Sequence, residues 1–323
     1  MNFGFVPNRL KNQIKDILVH RRAAKDLPHT LTYESMLQSM SALSFQEKEA
    51  LWLELRKQLA ESSESIAYAE RIFQQFSGLL LEHGGTLQGA RILELGPGVN
   101  LAAGLFFTLA GAARYTAVDA LAAFPERPVE FYRNVLEELR RRPQIVGRNS
   151  LSDADFASIL SVENGVRWNS ERVSYVTPVP AETMAFPEDG CDYVYSNASF
   201  EHFDHPDRVI RRIFPALRPG GLTAHAIDLR DHIDFKKPLE FLKVGPAEYR
   251  HASPYGTNRW RASDFEQAFS AAGFHILKFE TVERHEISDA EYESFDTYFK
   301  TRYPRSILEV LTIFVIATKP SAS

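Results

Sequence analysis

Residues 91–100 read RILELGPGVN, an apolar run that ends in two closely spaced glycines. Continuous apolar runs are typical of parallel strands that are covered on both faces of a sheet. Gly96 and Gly98 permit a tight turn and let the backbone approach a ligand, because no Cβ stands in the way. The stretch Leu101–Ala110 then reads as a helix, whose first N–H groups can bind polar ligand atoms. This pattern predicts a strand, turn and helix that bind a nucleotide-containing cofactor.

A second apolar run, residues 115–118, ends at Asp119. An acidic residue at the carboxyl end of the second strand of a doubly wound sheet can accept hydrogen bonds from a ribose diol. Dinucleotide-binding folds share this geometry, and their fingerprint is G-x-G-x-x-G. Here Leu101 occupies the place of the third glycine, which weakens the interpretation as a nicotinamide site.

With these residues in place, the sequence resembles the class I S-adenosylmethionine-dependent methyltransferases. The turn at residues 94–98 resembles the family's E/D-x-G-x-G motif, and Asp119 resembles its acidic residue after strand two. Three further blocks follow in the family's order: AE…FP at residues 181–187, DYVYS…EH at 192–202 and LRPGG at 217–221. The sequence departs from the family's pattern at Pro180, where an acidic residue normally precedes Ala-Glu, so one adenine contact is lost.

The resemblance implies an α/β fold with a Rossmann-like seven-stranded sheet, mostly parallel with an antiparallel edge strand, plus an N-terminal helical cap. We expect the cap at residues 1–86 and the methyltransferase domain at 87–323, with insertions at about 121–172 and 229–258. The implied cofactor is S-adenosyl-L-methionine. The residues expected to hold it are Glu94, Gly96, Gly98, Asn100, Asp119, Ala181, Glu182 and Asn197.

Apolar residues at helical spacing predict three helices before residue 86. The first includes Leu10 to Leu18 among basic residues; it either packs on the domain or contacts an anionic membrane surface. The second opens with a capping box at Ser44 and runs to about Leu59. The third spans about Glu64–Glu82 and ends before Gly84-Gly85. We expect these helices to cover the cofactor or substrate side of the sheet.

Further along the chain, the first insertion is expected to hold a helix at about Val129–Arg142 and another opened by Ser152 or Asp153. A substrate lid, a peripheral elaboration and a dimer contact are all open roles for it. Residues 229–258 read as irregular and polar. The remaining predicted elements are a third strand at about Val173–Val176, strand five at Leu222–Ile227, a helix capped by Ser263 and ending at Ala272, and final strands at His275–Val282 and Leu311–Ala317.

Composition limits the partners. The chain has 323 residues and a formal net charge of −5, so it presents no general field that attracts a polyanion, and nucleic acid is not expected as a partner. The single cysteine, Cys191, cannot form an internal disulfide. No apolar run is long enough to span a membrane, and no signal peptide is visible. A cytoplasmic protein is expected, with a small-molecule acceptor and an open possibility of a homodimer.

Polar residues after strands four and five are the candidates for chemistry, because ligands bind outside the carboxyl ends of the strands. A hydroxyl acceptor must lose its proton during methylation, and histidine is the usual base near neutral pH. We expect His232 to act, or else His202, with Asp231 or Glu201 orienting the imidazole. His225, inside strand five, reads as structural. The residues expected to contact the substrate are Asp228, Arg230, Arg259 and Arg261.

A metal is not expected. Suitable ligands are present in two groups, Glu201 with His202, and His225, Asp228, Asp231 and His232. Methyltransferases that resemble the ubiquinone O-methylating family, however, carry another acid three residues before the Glu-His pair. In this chain that residue is Ala198.

The predicted reaction is O-methylation of a sugar, glycolipid or secondary metabolite. The blocks IDLRDH at residues 227–232 and NRWRASD at 258–264 resemble a bacterial branch associated with small-molecule and glycan tailoring. Methylation of nitrogen or carbon, a non-catalytic subunit that binds the cofactor, and a nicotinamide oxidoreductase are the alternatives.

Overall fold

The computed structural model describes residues 64–98, 100–120, 129–232, 236–252 and 257–321. The predicted basic helix around Leu10 and the predicted helix at 44–59 lie outside these residues, as does most of the proposed cap. The domain boundary at residue 86 therefore stays a prediction.

Nine strands are present in the described residues: β1 (Arg91–Leu95), β2 (Arg114–Val118), β3 (Leu160–Ser161), β4 (Arg167–Trp168), β5 (Val173–Val176), β6 (Cys191–Asn197), β7 (Leu217–Asp228), β8 (His275–Arg284) and β9 (Val310–Thr318). They are accompanied by ten α-helices: α1 (Glu64–Glu82), α2 (Ala102–Leu109), α3 (Val129–Arg141), α4 (Asp153–Ala157), α5 (Pro206–Ala216), α6 (Pro246–Ala252), α7 (Ala262–Ala271), α8 (Asp289–Ser294), α9 (Thr297–Arg302) and α10 (Arg305–Leu308). None of these helices is long and apolar enough to cross a membrane.

Seven of the strands form one sheet in the order β5-β2-β1-β6-β7-β9-β8, and β3 and β4 form a separate hairpin. The strands from β5 to β7 are parallel, whereas β9 runs antiparallel to both β7 and β8. The predicted seven-stranded, mostly parallel sheet with an antiparallel pair at its edge is confirmed. Strand order reverses between β1 and β6, which is the point where α/β sheets open a ligand crevice.

Helix α1 packs on the face of the sheet that also carries α2. Phe76 is fully buried, and its ring lies 4.7 Å from that of Tyr195 and 5.9 Å from that of Phe314. The hydroxyl of Tyr193 donates to the carbonyl of Phe76 at 3.1 Å. This helix is therefore fixed against β6 and β9, and its bounds are those expected from its apolar spacing.

The second predicted insertion is more ordered than its polar composition indicates. It contains a 3₁₀ helix (Glu240–Lys243) and α6, so the expectation of an irregular segment is wrong. Helices α8 to α10 were not anticipated either. The two segments bury their apolar residues against each other in a third hydrophobic cluster, formed by Leu239, Phe241, Leu242, Tyr249, Ile287, Phe295, Phe299, Tyr303, Leu308 and Leu311.

Two predicted boundaries are corrected. Helix α7 begins at Ala262 rather than after a Ser263 cap, because the carboxylate of Asp264 accepts the main-chain N–H of Arg261 at 2.8 Å. Strand β7 begins at Leu217, earlier than expected, because Leu217 pairs with Cys191. The Ser152 cap of α4 is confirmed as part of a capping box.

Candidate functional site

The turn after β1 places its two glycines in different surroundings. Both have left-handed backbones, with φ of 68° at Gly96 and 74° at Gly98. A Cβ at position 96 would lie 2.5 Å from Oγ of Ser199, the hydroxyl of which donates to the carbonyl of Gly96 at 3.2 Å. Among the described residues, a Cβ at position 98 would meet no atom within 4 Å. Gly96 thus packs against the loop after β6, while no described residue fills the space beside Gly98.

The first turn of α2 is partly occupied by the chain itself. Oδ1 of Asn100 accepts the N–H of Ala102 at 3.0 Å, and the hydroxyl of Tyr132 accepts the N–H of Leu101 at 3.1 Å. The side chain of Asn100, which was expected to hold the cofactor, thus binds the first main-chain N–H of α2. Tyr132 belongs to α3, so the predicted insertion supports the cofactor turn, a contact that the sequence did not reveal.

Glu94 points into the protein interior. It is buried, the hydroxyl of Tyr115 donates to its carboxyl group, and Tyr195 is a further hydrogen-bond partner. Burial raises the pKa of Glu94 to about 8, and the nearby charge of Asp119 adds to this effect. The side chain accordingly links β1 to its two neighbouring strands and is neutral at pH 7.

The other residues expected around the cofactor lie at the carboxyl ends of neighbouring strands. Asp119 follows β2 and is buried, as is Ala181. Oε1 of Glu182 accepts the N–H of Asp204 at 3.0 Å, so this carboxylate ties the predicted adenine loop to the loop after β6. The side-chain amide of Asn197 donates to the hydroxyl of Tyr68 at 2.6 Å, which brings α1 to the same edge.

These residues fit a nucleoside cofactor. No described residue fills the space beside Gly98, where the protein backbone is expected to contact the cofactor. Asp119 lies at the end of the adjacent strand. Both features lie where strand order reverses, which is where such cofactors bind in doubly wound sheets.

A second polar cluster follows β7. The side chains of Asp228, Arg230 and His232 come together there, because the chain bends at Arg230 and at His232. The guanidinium of Arg230 donates to both carboxylate oxygens of Asp228, at 2.8 and 2.7 Å, and Nε2 of His232 is 3.5 Å from Oδ2. Burial raises the pKa of Asp228, but hydrogen bonds from His232 and Arg230 outweigh burial, so the net pKa lies well below its ordinary value.

This arrangement gives His232 a carboxylate neighbour that was not expected. Oδ2 of Asp228 lies 3.5 Å from Nε2 of His232, whereas Asp231 or Glu201 was the predicted partner. Asp231 is fully buried, and its N–H donates to the carbonyl of Pro238 at 2.7 Å. Asp228 therefore contacts both His232 and Arg230.

The pair Glu201 and His202 meets this cluster from β6. A 3₁₀ helix (Phe200–His202) follows that strand, with Glu201 buried and His202 exposed. The rings of His202 and His232 pack edge to face with centroids 4.8 Å apart. One potential ligand atom from each of Glu201, His202 and His232 lies within 4.8 Å of the others. Both predicted catalytic histidines are thus brought together.

His225 is a structural histidine, as its position inside β7 indicates. It is fully buried between Oγ of Ser196, 2.8 Å from Nδ1, and Oγ1 of Thr223, 2.5 Å from Nε2. Burial lowers the pKa of His225 to about 3, so the ring is neutral across the physiological range.

The two arginines expected to bind substrate have other roles. Arg259 donates to the carbonyls of Phe241 and Val244 at 2.9 and 2.6 Å. Arg261 is fully buried and donates to the carbonyls of Leu229, Leu308 and Val310. Burial lowers the pKa of Arg261 to about 10, so it stays charged at neutral pH. Because their hydrogen bonds are made with main-chain carbonyls inside the protein, these guanidinium groups hold loops together.

Asn258 is a positioning residue that was not singled out in the sequence. Its side-chain amide donates to the carbonyls of Phe200 and Phe203 at 2.7 and 2.9 Å, and its N–H donates to the carbonyl of Glu201 at 2.7 Å. The only sequence signal was its place at the start of the block at 258–264. It fixes the loop that carries Glu201 and His202.

Comparison with known proteins adds the family. A family model described as "Methyltransferase domain" matches residues 67–278, about two thirds of the chain. The comparison with curated proteins finds no match. Remotely similar solved structures include a chain of the complex between the Haloferax volcanii Trm112 activator and a methyltransferase (16% identity, 80% of this chain and 95% of that chain covered, TM-score 0.41).

Two further structures are similarly remote. One is an S-adenosylmethionine-dependent methyltransferase from Mesorhizobium loti (16% identity, 75% and 96% covered, TM-score 0.42). The other is phosphoethanolamine N-methyltransferase 2 from Haemonchus contortus in complex with S-adenosylmethionine (16% identity, 84% and 60% covered, TM-score 0.43). The family match and the cofactor-site geometry agree, and this chain belongs to the methyltransferase domain family as an S-adenosylmethionine-dependent methyltransferase.

Proposed function

We propose that this enzyme methylates an oxygen atom of a small or medium-sized acceptor, in the class of sugars, glycolipids and secondary metabolites, with His232 as the base. The observation that carries the proposal is the meeting of His202, His232 and Asp228 at the carboxyl ends of β6 and β7. A polar cluster at that edge lies on the side of the sheet where the glycine turn opens.

The cofactor determines what the protein must add. S-adenosylmethionine, when bound, supplies a methyl group on a sulfonium, and the acceptor oxygen forms its bond to carbon as the carbon–sulfur bond breaks. The residues proposed to hold it are Gly96, Gly98, Asp119 and Ala181. Alignment of the acceptor and removal of its proton are left to the polar cluster.

His232 is suited to take that proton. Its side chain is 10% exposed, and Asp228 lies within 3.5 Å. Because hydrogen bonds keep the pKa of Asp228 low, this group is a carboxylate at neutral pH and stabilises the imidazolium that forms. Arg230 fixes the carboxylate in a bidentate pair. His202 is the second candidate, since its ring contacts that of His232.

The test compares His232→Ala with His205→Ala. His205 is an exposed histidine in the loop after β6, and its side chain caps no helix. Acceptors are screened from sugars and phenols. Loss of a general base lowers the rate by about 10²–10⁴-fold, so we expect that loss for His232→Ala and no change for His205→Ala. S-adenosylhomocysteine should raise the melting temperature of all three proteins equally.

Unchanged turnover of His232→Ala would eliminate the base assignment. Binding of S-adenosylhomocysteine without methyl transfer to any acceptor would favour the non-catalytic alternative. Methylation of amines or carbon acids in place of hydroxyls would favour the other acceptor classes.

A further inference from the structure

Three side chains with metal-binding atoms converge beside the proposed acceptor site. Glu201 and His202 come from the 3₁₀ helix after β6, and His232 comes from the loop after β7. Their potential ligand atoms all lie within 4.8 Å of one another. His202 and His232 are 30 positions apart in the sequence, and they meet because β6 and β7 are neighbours in the sheet.

The donor set has a definite chemical preference. Two imidazoles and one carboxylate suit divalent transition metals such as Zn²⁺, Co²⁺ or Mn²⁺, whereas Mg²⁺ and Ca²⁺ prefer oxygen ligands. Ligand atoms on a tetrahedral Zn²⁺ are about 2.0–2.1 Å from the ion and so about 3.3 Å apart. The present spacing therefore requires a contraction of about 1.5 Å at most. Rotation of the exposed His202 can supply much of it.

The surroundings of His232 also fit a ligand role. Histidine ligands commonly direct their second ring nitrogen at a carboxylate, which fixes the ring and increases its basicity. Asp228 is such a carboxylate, and it is itself held by Arg230. One nitrogen of His232 can therefore face Asp228 while the other faces the ion.

We propose that Glu201, His202 and His232 form a binding site for one divalent transition-metal ion. The sequence-based expectation of no metal depended on Ala198, where related enzymes carry an acid. His232 provides the third ligand instead, from a different strand. Three protein ligands leave coordination positions open, and an acceptor hydroxyl can occupy one of them.

This inference rests on the proposed function for the position of the acceptor, but it changes the proton step. A ring nitrogen that binds an ion cannot accept a proton at the same moment. With the ion bound, the hydroxyl loses its proton because the ion lowers its pKa, and the proton passes to solvent water. His232 is then a ligand in the ion-bound protein, and the role of base proposed above belongs to the protein without the ion.

The experiment measures binding without any acceptor. Protein without an affinity tag is stripped of metal with a chelator and titrated with Co²⁺, followed by visible absorption and by metal analysis after equilibrium dialysis. We expect one Co²⁺ per chain, displaced by Zn²⁺ and not by Mg²⁺. Loss of a supporting carboxylate costs about 10–100-fold in affinity, so Asp228→Asn should lose that much and His202→Ala at least as much.

The controls keep the outcomes separate. His205→Ala should bind Co²⁺ like the unchanged protein. His202 is exposed, so His202→Ala tests the site even where Glu201→Gln, at a buried position, disturbs the fold. Co²⁺ binding that is absent, or that is the same in His202→Ala as in His205→Ala, would overturn the inference. If His232→Ala still abolishes methylation in that case, the proposed base stands; if Co²⁺ binds but no acceptor is methylated, only the proposed function fails.

Discussion

Glu94 shows that a motif residue can act on the fold rather than on the ligand. Its strand lies between β2 and β6, and its carboxyl group meets Tyr115 of one and Tyr195 of the other. A neutral carboxyl can donate one hydrogen bond and accept others, so protonation suits a site between two hydroxyls. The cofactor turn begins two residues later, and this buried contact holds the strand from which it starts.

Replacement of Glu94 by Gln should change the pH dependence of stability. In the unfolded chain this carboxyl ionises near pH 4.5, whereas burial raises its pKa to about 8 in the folded protein. Its contribution to stability is therefore full below pH 4.5 and is lost as the pH rises to about 8. Gln does not ionise, so the advantage of Glu94→Gln should grow across this interval to a few kcal/mol.

Urea unfolding at a series of pH values measures this difference. Glu171→Gln, at an exposed position, should follow the unchanged protein at every pH. A constant difference between Glu94→Gln and the unchanged protein from pH 5 to 9 would mean that the buried carboxyl ionises normally.

At the residue scale, local pattern predicted part of the site. The positions of His202 and His232 after neighbouring strands predicted that they meet, and their ring centroids are 4.8 Å apart; the carboxylate of Asp228 beside His232 was not expected, since Asp231 or Glu201 was the predicted partner. The burial of Arg261 was not predictable, since the carbonyls it binds at Leu308 and Val310 come from a part of the chain more than forty residues away.

At the scale of the elements, the turn between β1 and α2 contains one glycine with a structural role, Gly96, and one with a proposed ligand-binding role, Gly98. Gly96 cannot be replaced without displacing Ser199, whereas Gly98 has open space around its missing Cβ. Any loss of function at Gly98 is therefore attributable to backbone conformation or to a ligand that uses that space. Gly147 separates these causes, because it has φ of 68° and equally open surroundings outside the site.

We therefore expect Gly98→Ala and Gly147→Ala to destabilise the protein alike, by about 1–2 kcal/mol, which is the cost of a left-handed backbone for an L-residue. Only Gly98→Ala should weaken S-adenosylhomocysteine, measured by calorimetric titration, because its methyl group fills the space proposed for the cofactor. Equal affinity of both variants would place the cofactor elsewhere than against Gly98.

Elements with a clear period were predictable, and short ones were not. Helix α1 and strand β5 have the predicted bounds because their apolar residues repeat over a whole element. Helices α8 to α10 have six residues or fewer, which is too short for a helical period to be visible. Their apolar side chains are explained by the third hydrophobic cluster, which includes chain segments distant in sequence.

In the molecule as a whole, the third cluster is joined to the polar site through the segment before α7. The guanidinium of Arg259 lies 4.0 Å from the ring centre of Tyr249 and 4.9 Å from that of Phe299, two members of the cluster. The adjacent Asn258 donates to the carbonyls of Phe200 and Phe203, in the segment that carries Glu201 and His202. The family resemblance predicted the sheet but not the third cluster, since this cluster is formed by the second insertion and the helices before β9.

Phe299→Ala tests whether the third cluster unfolds cooperatively with the rest of the protein. Phe299 is 1% exposed and stacks on Tyr303 with ring centres 6.4 Å apart, and removal of a buried Phe side chain costs about 3–5 kcal/mol. The neighbouring Tyr298 is 42% exposed, so Tyr298→Ala should lose far less. We expect one unfolding transition for each protein in urea, at a lower midpoint for Phe299→Ala. A separate early transition that leaves the sheet folded would instead show that the third cluster unfolds independently of the sheet.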